Sequence, residues 1–229
     1  DKLITSQQKK HGWTTGFIAV KPNCSIQSFV PLLKALEDFQ PAQVLVTTLQ
    51  AVSGAGRSIS AWPEMQDNII PLIEGEETKT QTEPLKILGT IQGDQIQPKP
   101  GLKINATCIR VPVSDGHMAS LTITFKRSIC KSDIIFALNN YQNPLHKYKL
   151  PSSPKCFIQY FTDPDRPQTR LDRDLNQGMT ISAGRIRKIT AQTWQMIGLS
   201  HNTIRGAAGG AVLMAELLTQ QGFIKRKTI

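Results

Sequence analysis

The stretch KINATCIRVPVSDGHMASLTITF, residues 103–125, decides the fold. Apolar and polar residues alternate on both sides of a central break, which is typical of two β-strands that each bury one face. Asp115 and Gly116 form a strong turn signal within the break. The alternation puts Arg110 at the end of the first strand and His117 at the start of the second. We therefore predict neighbouring antiparallel strands that bring Arg110 and His117 to the same end of a sheet.

Two more apolar runs, residues 16–21 and 43–49, predict further buried strands. The first run leads into PNCS at residues 22–25, and apolar residues at helical spacing follow it. Cys24 is therefore expected at a strand-to-helix corner. Pro31 either bends the following helix or lies in its first turn.

The remaining segments mix strands and helices without a regular βαβ rhythm, which favours an α+β domain. The predicted elements are a helix from about residue 74 to 88, a helix at 132–140 capped by Ser132, a surface connection at 151–177, a strand at 179–189 and a helix at 203–221.

Composition excludes several classes of protein. The formal net charge is +10, but the basic residues are scattered and aromatic residues make up only 6%, so we expect no nucleic-acid partner. No apolar run is long enough to span a bilayer, so we expect no membrane association. The four cysteines form no Cys-x-x-Cys pair, which argues against a metal site and for reduced thiols in the cytoplasm.

Local context alone leaves the chemistry of the polar residues open. Cys24 at a helix start has the setting of a reactive thiolate, although most free cysteines are small buried apolar residues. His117 is the best candidate base, or else a turn histidine that is merely hydrogen-bonded. Arg110 needs a carboxylate or phosphate partner, which a structural acid could also supply. Glu76 and Lys79 have the spacing of an exposed helical ion pair.

Taken together, seven motifs occur in an order that resembles the aspartate-semialdehyde dehydrogenase family. Their amino-acid sequences are most similar to its archaeal and fungal branch. They are PNCS (22–25), VTTLQAVSGAG (46–56), IIPLIEGEE (69–77), KILG (86–89), CIRVPVSDGH (108–117), GRIR (184–187) and GLSHNTIRGAAGGAVLMAELL (198–218).

The resemblance implies NADP-dependent reductive dephosphorylation of L-aspartyl 4-phosphate to L-aspartate 4-semialdehyde and phosphate, a step towards lysine, threonine and methionine. A thiolate would form a thioester with the substrate, and hydride would then reduce it. Backbone N–H groups around Asn23 and Cys24 are expected oxyanion donors. The implied roles are catalysis for Cys24, His117 and Gln50, substrate binding for Arg110, Glu76, Lys79 and Asn23, and cofactor binding for Ser53, Gly54 and Asn202.

The resemblance also implies an α+β fold like the C-terminal domain of glyceraldehyde-3-phosphate dehydrogenase, with a mixed, largely antiparallel sheet, helices on one face, and assembly as a homodimer or tetramer. Residues 1–195 would form the catalytic and dimerisation domain. Residues 196–229 would carry a C-terminal helix that packs on an N-terminal Rossmann domain, which we expect to be missing. Alone, the chain is then expected to be nearly inactive and to expose an apolar patch around residues 212–218.

Two other functions remain open on the sequence. One is reduction of a different acyl phosphate, such as N-acetylglutamyl phosphate. The other is a dimerisation module without catalysis.

Overall fold

The computed structural model describes residues 2–225. Its helices are α1 (Lys2–His11), α2 (Val30–Ala35), α3 (Glu76–Ile87), α4 (Lys131–Asn139), α5 (Thr169–Asp172), α6 (Leu175–Gly178) and α7 (Gly209–Gln220). Its strands are β1 (Pro41–Gln50), β2 (Thr90–Gln92), β3 (Gln95–Gln97), β4 (Lys103–Arg110), β5 (His117–Phe125), β6 (Ile158–Tyr160), β7 (Ile181–Lys188) and β8 (Thr193–Ser200). Residue 1 and residues 226–229, which include the end of the predicted 196–229 segment, lie outside the described part.

Six strands form one mixed sheet in the order β4-β1-β5-β8-β7-β6, and β2 pairs with β3 in a separate hairpin. The β1/β5, β5/β8 and β7/β8 pairs are antiparallel, whereas β1/β4 and β6/β7 are parallel. The expected α+β fold with a largely antiparallel sheet is therefore confirmed. The predicted boundary at 195/196 falls inside β8, so the helical segment begins beyond Ser200.

The predicted pairing of the two strands in residues 103–125 is wrong, because β1 lies between them. Helix α3 connects β1 to β4 as a parallel crossover, and β5 then pairs with the opposite edge of β1. The loop between β4 and β5 crosses the end of β1, where the Val111 N–H donates to the Gln50 carbonyl at 3.0 Å. Arg110 and His117 still reach the same end of the sheet, as predicted, but on either side of β1.

The core lies on one face of this sheet. Alternate residues of β1, β4, β5, β7 and β8 pack there against α2, α4 and the turn at Ser25–Ser28. Burying these apolar side chains contributes about 25 cal/mol per Å² of area removed from water. The opposite face, which includes Leu45, Thr47 and Ser120, is covered by no helix of this core and is partly exposed. Helices therefore cover one face, as expected.

Residues 16–21 do not form the predicted strand. They are hydrogen-bonded to no strand within the described residues, and Ile18 and Val20 are 63% and 79% exposed. Glutamine side chains of α1 satisfy part of this backbone instead, with Gln7 donating to the Ile18 carbonyl at 3.0 Å and accepting from its N–H at 2.6 Å. An apolar run forms a β-strand only where its backbone can hydrogen-bond to the edge of a neighbouring strand.

Smaller differences have local causes. Cys130, not Ser132, caps α4, because Asp133 accepts from the Cys130 N–H at 2.9 Å. The connection at 151–177 contains an edge strand and two short helices. Pro31 lies in the first turn of α2, the second of the two alternatives. Of the apolar patch expected around residues 212–218, Val212 is exposed but Leu213 is buried.

Candidate active site

Cys24 is placed by two glycines that bring backbone segments close together. It begins the helical turn Ser25–Ser28, whose Ser28 carbonyl lies against Gly198 of β8; a Cβ at Gly198 would be 2.1 Å from that oxygen. A Cβ at Gly206 would be 2.8 Å from the Cys24 Cβ. The small residues before α7 thus leave the space that the Cys24 side chain occupies. The thiol is half-buried, so it is neither enclosed in the core nor fully in water.

Glu76, at the start of α3, is the centre of a polar cluster beside Cys24. It accepts from the Asn23 side-chain amide at 3.0 and 2.8 Å and from Lys79 at 3.1 Å. The Gln50 side-chain amide lies 3.4 Å from the second carboxylate oxygen. Four of the predicted site residues, drawn from three distant segments, therefore meet at one carboxylate.

Asn23 is held at both its side chain and its backbone. Its side-chain oxygen accepts from the Ser25 N–H at 2.7 Å, and its N–H donates to Glu83 at 2.8 Å. Because Glu83 already takes the Asn23 N–H, the expectation that this group serves as an oxyanion donor is wrong. Glu83 was not singled out from the sequence. Its position seven residues after Glu76, about two helical turns on the same face, was the available signal.

Arg110 and His117 converge on the backbone of Ala51, the residue after β1. The Arg110 guanidinium donates to the Ala51 carbonyl at 2.7 Å, and the Ala51 N–H donates to His117 Nδ1 at 3.1 Å. Both side chains are buried. Arg110 makes no ion pair with a carboxylate within residues 2–225, so its charge remains available to a ligand.

His117 is neutral at physiological pH. Burial, followed by the nearby Arg110 charge, lowers the pKa of His117 to about 3. Since Nδ1 accepts from Ala51, the proton of the neutral ring is on Nε2. That buried Nε2 has no hydrogen-bond partner among the described residues. His117 therefore presents an N–H donor to the site.

The environment of Cys24 keeps its thiol protonated at rest. Burial raises the pKa of Cys24, and the Glu76 carboxylate raises it further, whereas Lys21 and Arg110 act in the opposite direction. The expected lowering by a helix start does not prevail, because burial and the Glu76 charge outweigh it. Lys21 was also missed from the sequence, where it precedes the PNCS motif.

Ser53, Gly54 and Asn202 form the other side of the site. The Asn202 side chain donates to Ser53 Oγ at 2.8 Å and accepts from the Gly116 N–H at 2.8 Å. Gly54 is exposed, and a Cβ there would lie 2.9 Å from both Arg110 and His117. Glycine at this position is therefore needed for Arg110 and His117 to approach the backbone closely.

Within residues 2–225, no group of three or more His, Cys, Asp and Glu side chains could hold a metal ion. None of the helices in this range combines the length and the apolar character needed to cross a membrane.

The fold is that of the dimerisation domain of a semialdehyde dehydrogenase. The family model for the semialdehyde dehydrogenase dimerisation domain matches residues 31–205, and the chain belongs to that family. It is 42% identical to the aspartate-semialdehyde dehydrogenase of Archaeoglobus fulgidus over 97% of this chain and 63% of that protein. It is 41% identical to the aspartate-semialdehyde dehydrogenase of Aspergillus fumigatus over 97% of this chain and 64% of that protein.

The solved structure of Candida albicans aspartate-semialdehyde dehydrogenase with NADP superposes with a TM-score of 0.82 at 38% identity, over 96% of this chain and 63% of that one. The chain thus spans a little under two thirds of the length of these relatives.

Proposed function

We propose that the protein supplies the substrate-binding and thiol chemistry of an aspartate-semialdehyde dehydrogenase, which reduces L-aspartyl 4-phosphate to L-aspartate 4-semialdehyde with NADPH as the reductant. The observation that carries the proposal is the Glu76 cluster, which joins Asn23, Gln50 and Lys79 beside Cys24. The names of the relatives favour the same activity. The product would serve lysine, threonine and methionine synthesis.

The charges of the site match those of the substrate. Buried Arg110, which has no carboxylate partner among the described residues, suits the α-carboxylate. Glu76 suits the α-ammonium, and exposed Lys79 suits the phosphate. N-acetylglutamyl phosphate has no free ammonium to pair with Glu76 when Lys79 turns from that carboxylate to the phosphate, which disfavours that alternative.

Substrate binding also activates Cys24. The α-ammonium would neutralise Glu76, whose charge otherwise raises the pKa of the thiol. The thiol then releases its proton to water, the thiolate attacks the acyl carbon to form a C–S bond, and phosphate leaves with the electrons of the C–O bond. Asn23, held by Glu76 and Glu83, fixes the backbone next to the sulfur. Gln50 orients the Glu76 carboxylate.

Ser53, Gly54 and Asn202 would hold the nicotinamide end of the cofactor, which in its reduced form, NADPH, would supply the hydride. His117 then donates from Nε2 to the carbonyl oxygen as negative charge develops there. The Arg110 charge lowers the pKa of His117 and so helps to keep the ring neutral, and His117 therefore acts here as a hydrogen-bond donor and not as an imidazolium acid. Together these groups stabilise the tetrahedral thiohemiacetal until it releases the aldehyde and the Cys24 thiolate.

We further propose that two chains form a homodimer through the open face of the sheet, where Leu45 is 46% exposed. The match to a dimerisation domain supports this. The four free cysteines suit a reducing, cytoplasmic environment.

Thioester formation on the chain tests the proposal without the reduction step. Incubation with L-aspartyl 4-phosphate, acid quenching and peptide mass spectrometry should find one aspartyl group on Cys24. Cys24→Ser should abolish it, and Cys156→Ser, another half-buried thiol, should not. Equal acylation by N-acetylglutamyl phosphate would point to the rival substrate. No acylation at all would leave only the dimerisation module.

A further inference from the structure

A cavity adjoins the candidate active site, because Lys21 and Pro22, which directly precede Asn23 and Cys24, form part of its lining. It has a volume of about 420 Å³ and lies between α2, the end of α3 and α7. None of the ten candidate site residues lines it. This volume falls within the range of small-molecule sites, which are mostly apolar with a few charged groups.

Two cations line this cavity without a carboxylate partner. The Arg205 guanidinium lies 4.6 Å from the centre of the Phe157 ring and donates to the Met179 carbonyl at 3.1 Å, while its buried Nε has no hydrogen-bond partner. Lys21 packs its stem against Gly210, where a Cβ would lie 2.1 Å from the Lys21 Cε. No acidic side chain within residues 2–225 forms an ion pair with either cation.

The electrostatic cost of this arrangement is visible in both groups. Burial, followed by the Arg205 charge, lowers the pKa of Lys21 to about 8. Burial lowers the pKa of Arg205 to about 10. Both side chains are half-buried, and a charge that is partly withdrawn from water without a partner is costly. A bound anion would remove this cost for both cations at once.

We propose that the cavity binds a small amphiphilic anion, with its charged group at Lys21 and Arg205 and its apolar body against Tyr141, Phe157 and Leu213. The apolar walls argue for an aromatic or aliphatic carboxylate or phosphate ester and against a bare inorganic ion. Lys34, at the same cavity, already pairs with Glu37 and contributes little. This site does not depend on the activity proposed above.

Calorimetric titration of the chain at pH 7 with 2-naphthoate and with neutral 2-naphthylmethanol tests the charge requirement. Naphthoate should bind at least about tenfold more tightly, which corresponds to about 1.4 kcal/mol. Lys21→Met and Arg205→Met should each weaken it at least fivefold, whereas Lys34→Met should change it less than twofold. Because Lys21 loses its proton near pH 8, affinity should fall between pH 7 and 9, and Lys21→Met should remove that dependence.

Arg205→Lys keeps the positive charge and should retain most of the affinity. It is the control for the possibility that Arg205→Met loses binding because it misfolds. Equal binding of naphthylmethanol, or saturable binding that survives both methionine substitutions, would overturn the proposal. Displacement of naphthoate by equimolar inorganic phosphate would overturn the requirement for an apolar body. Absence of saturable naphthoate binding would reject the site altogether.

Discussion

The Asn23 side-chain amide donates to both carboxylate oxygens of Glu76, at 3.0 and 2.8 Å, across 53 positions of the chain. Asn23 precedes Cys24, and Glu76 begins α3. The contact therefore ties the backbone beside the thiol to the carboxylate proposed to receive the substrate ammonium. Changes in the charge of Glu76 should therefore change the pKa of the Cys24 thiol.

Glu76→Gln should make Cys24 more reactive in the free protein. Removing the negative charge lowers the pKa of the thiol, since that charge raises it, and more thiolate is present at pH 7.5. We expect alkylation of Cys24 by iodoacetamide, followed by peptide mass spectrometry, to become several-fold faster. Glu77→Gln is the matched control, because Glu77 accepts from the Cys108 N–H instead. An unchanged or slower rate for Glu76→Gln would contradict this electrostatic coupling.

Glu83→Ala should slow acylation of Cys24 by about tenfold, because the Asn23 N–H loses a charged acceptor worth about 1.5–3 kcal/mol. Glu83 touches no substrate in our proposal, so the maximal rate should fall while the half-saturating concentration of aspartyl phosphate stays the same. Glu83→Gln, whose amide oxygen still accepts, should recover most of the rate. Lys86→Ala, on an exposed face of the same helix, should behave as the parent protein. A purely structural role predicts no recovery by glutamine.

Acidification should destabilise the fold through His117. Its pKa is lowered from 6.5 to about 3 in the folded state, so the unfolded chain binds a proton between these values and the folded chain does not. Stability is therefore retained above pH 6.5 and lost as the pH falls towards 3. From pH 7 to 5 the contribution of His117 amounts to about 2 kcal/mol.

Urea unfolding of the parent protein and of His117→Phe at the two pH values measures this difference. The parent should lose about 2 kcal/mol more than the variant. His11→Phe, at an exposed histidine of α1, should keep the parental pH dependence. Parallel pH profiles for the parent and His117→Phe would show that His117 is not responsible.

Gly198→Ala should destabilise the protein by about 3 kcal/mol in chemical unfolding, because its Cβ would lie 2.1 Å from the Ser28 carbonyl oxygen. Gly93→Ala is an informative comparison. Gly93 has a positive φ of 61° but open space around it, so only the backbone strain of about 1 kcal/mol applies. Equal costs for the two changes would show that β8 yields to the added methyl group.

Leu45→Arg should prevent dimerisation, because it places a charge in the middle of the open sheet face, opposite Asn105 and Thr122. Sedimentation should show a two-chain mass for the parent and a single 25.4 kDa chain for the variant. Phe136→Arg changes an apolar side chain that is 69% exposed on α4 and should leave the dimer intact. Dissociation by Phe136→Arg alone would place the interface on the helical side.

Much of the local structure could be predicted from the amino-acid sequence. The alternation in β4 and β5 correctly separated buried from exposed residues, because successive side chains of a strand point to opposite faces. The spacing after Cys24 predicted α2, and the ordered motifs identified the family. The α1 helix and β8 were not predicted; α1 has no buried residue and so shows no apolar face in the sequence.

The sequence by itself determined which residue types are present for thiol chemistry and which face of each strand is apolar, since both properties are local. Only the tertiary structure decided that β1 lies between β4 and β5, that residues 16–21 remain outside the sheet, and that Glu83 and Lys21 join the neighbourhood of Cys24. The physical reason is that a strand's own alternation does not specify which edge it will pair with. Hydrogen-bond partners and buried charges are chosen by segments far away in the chain.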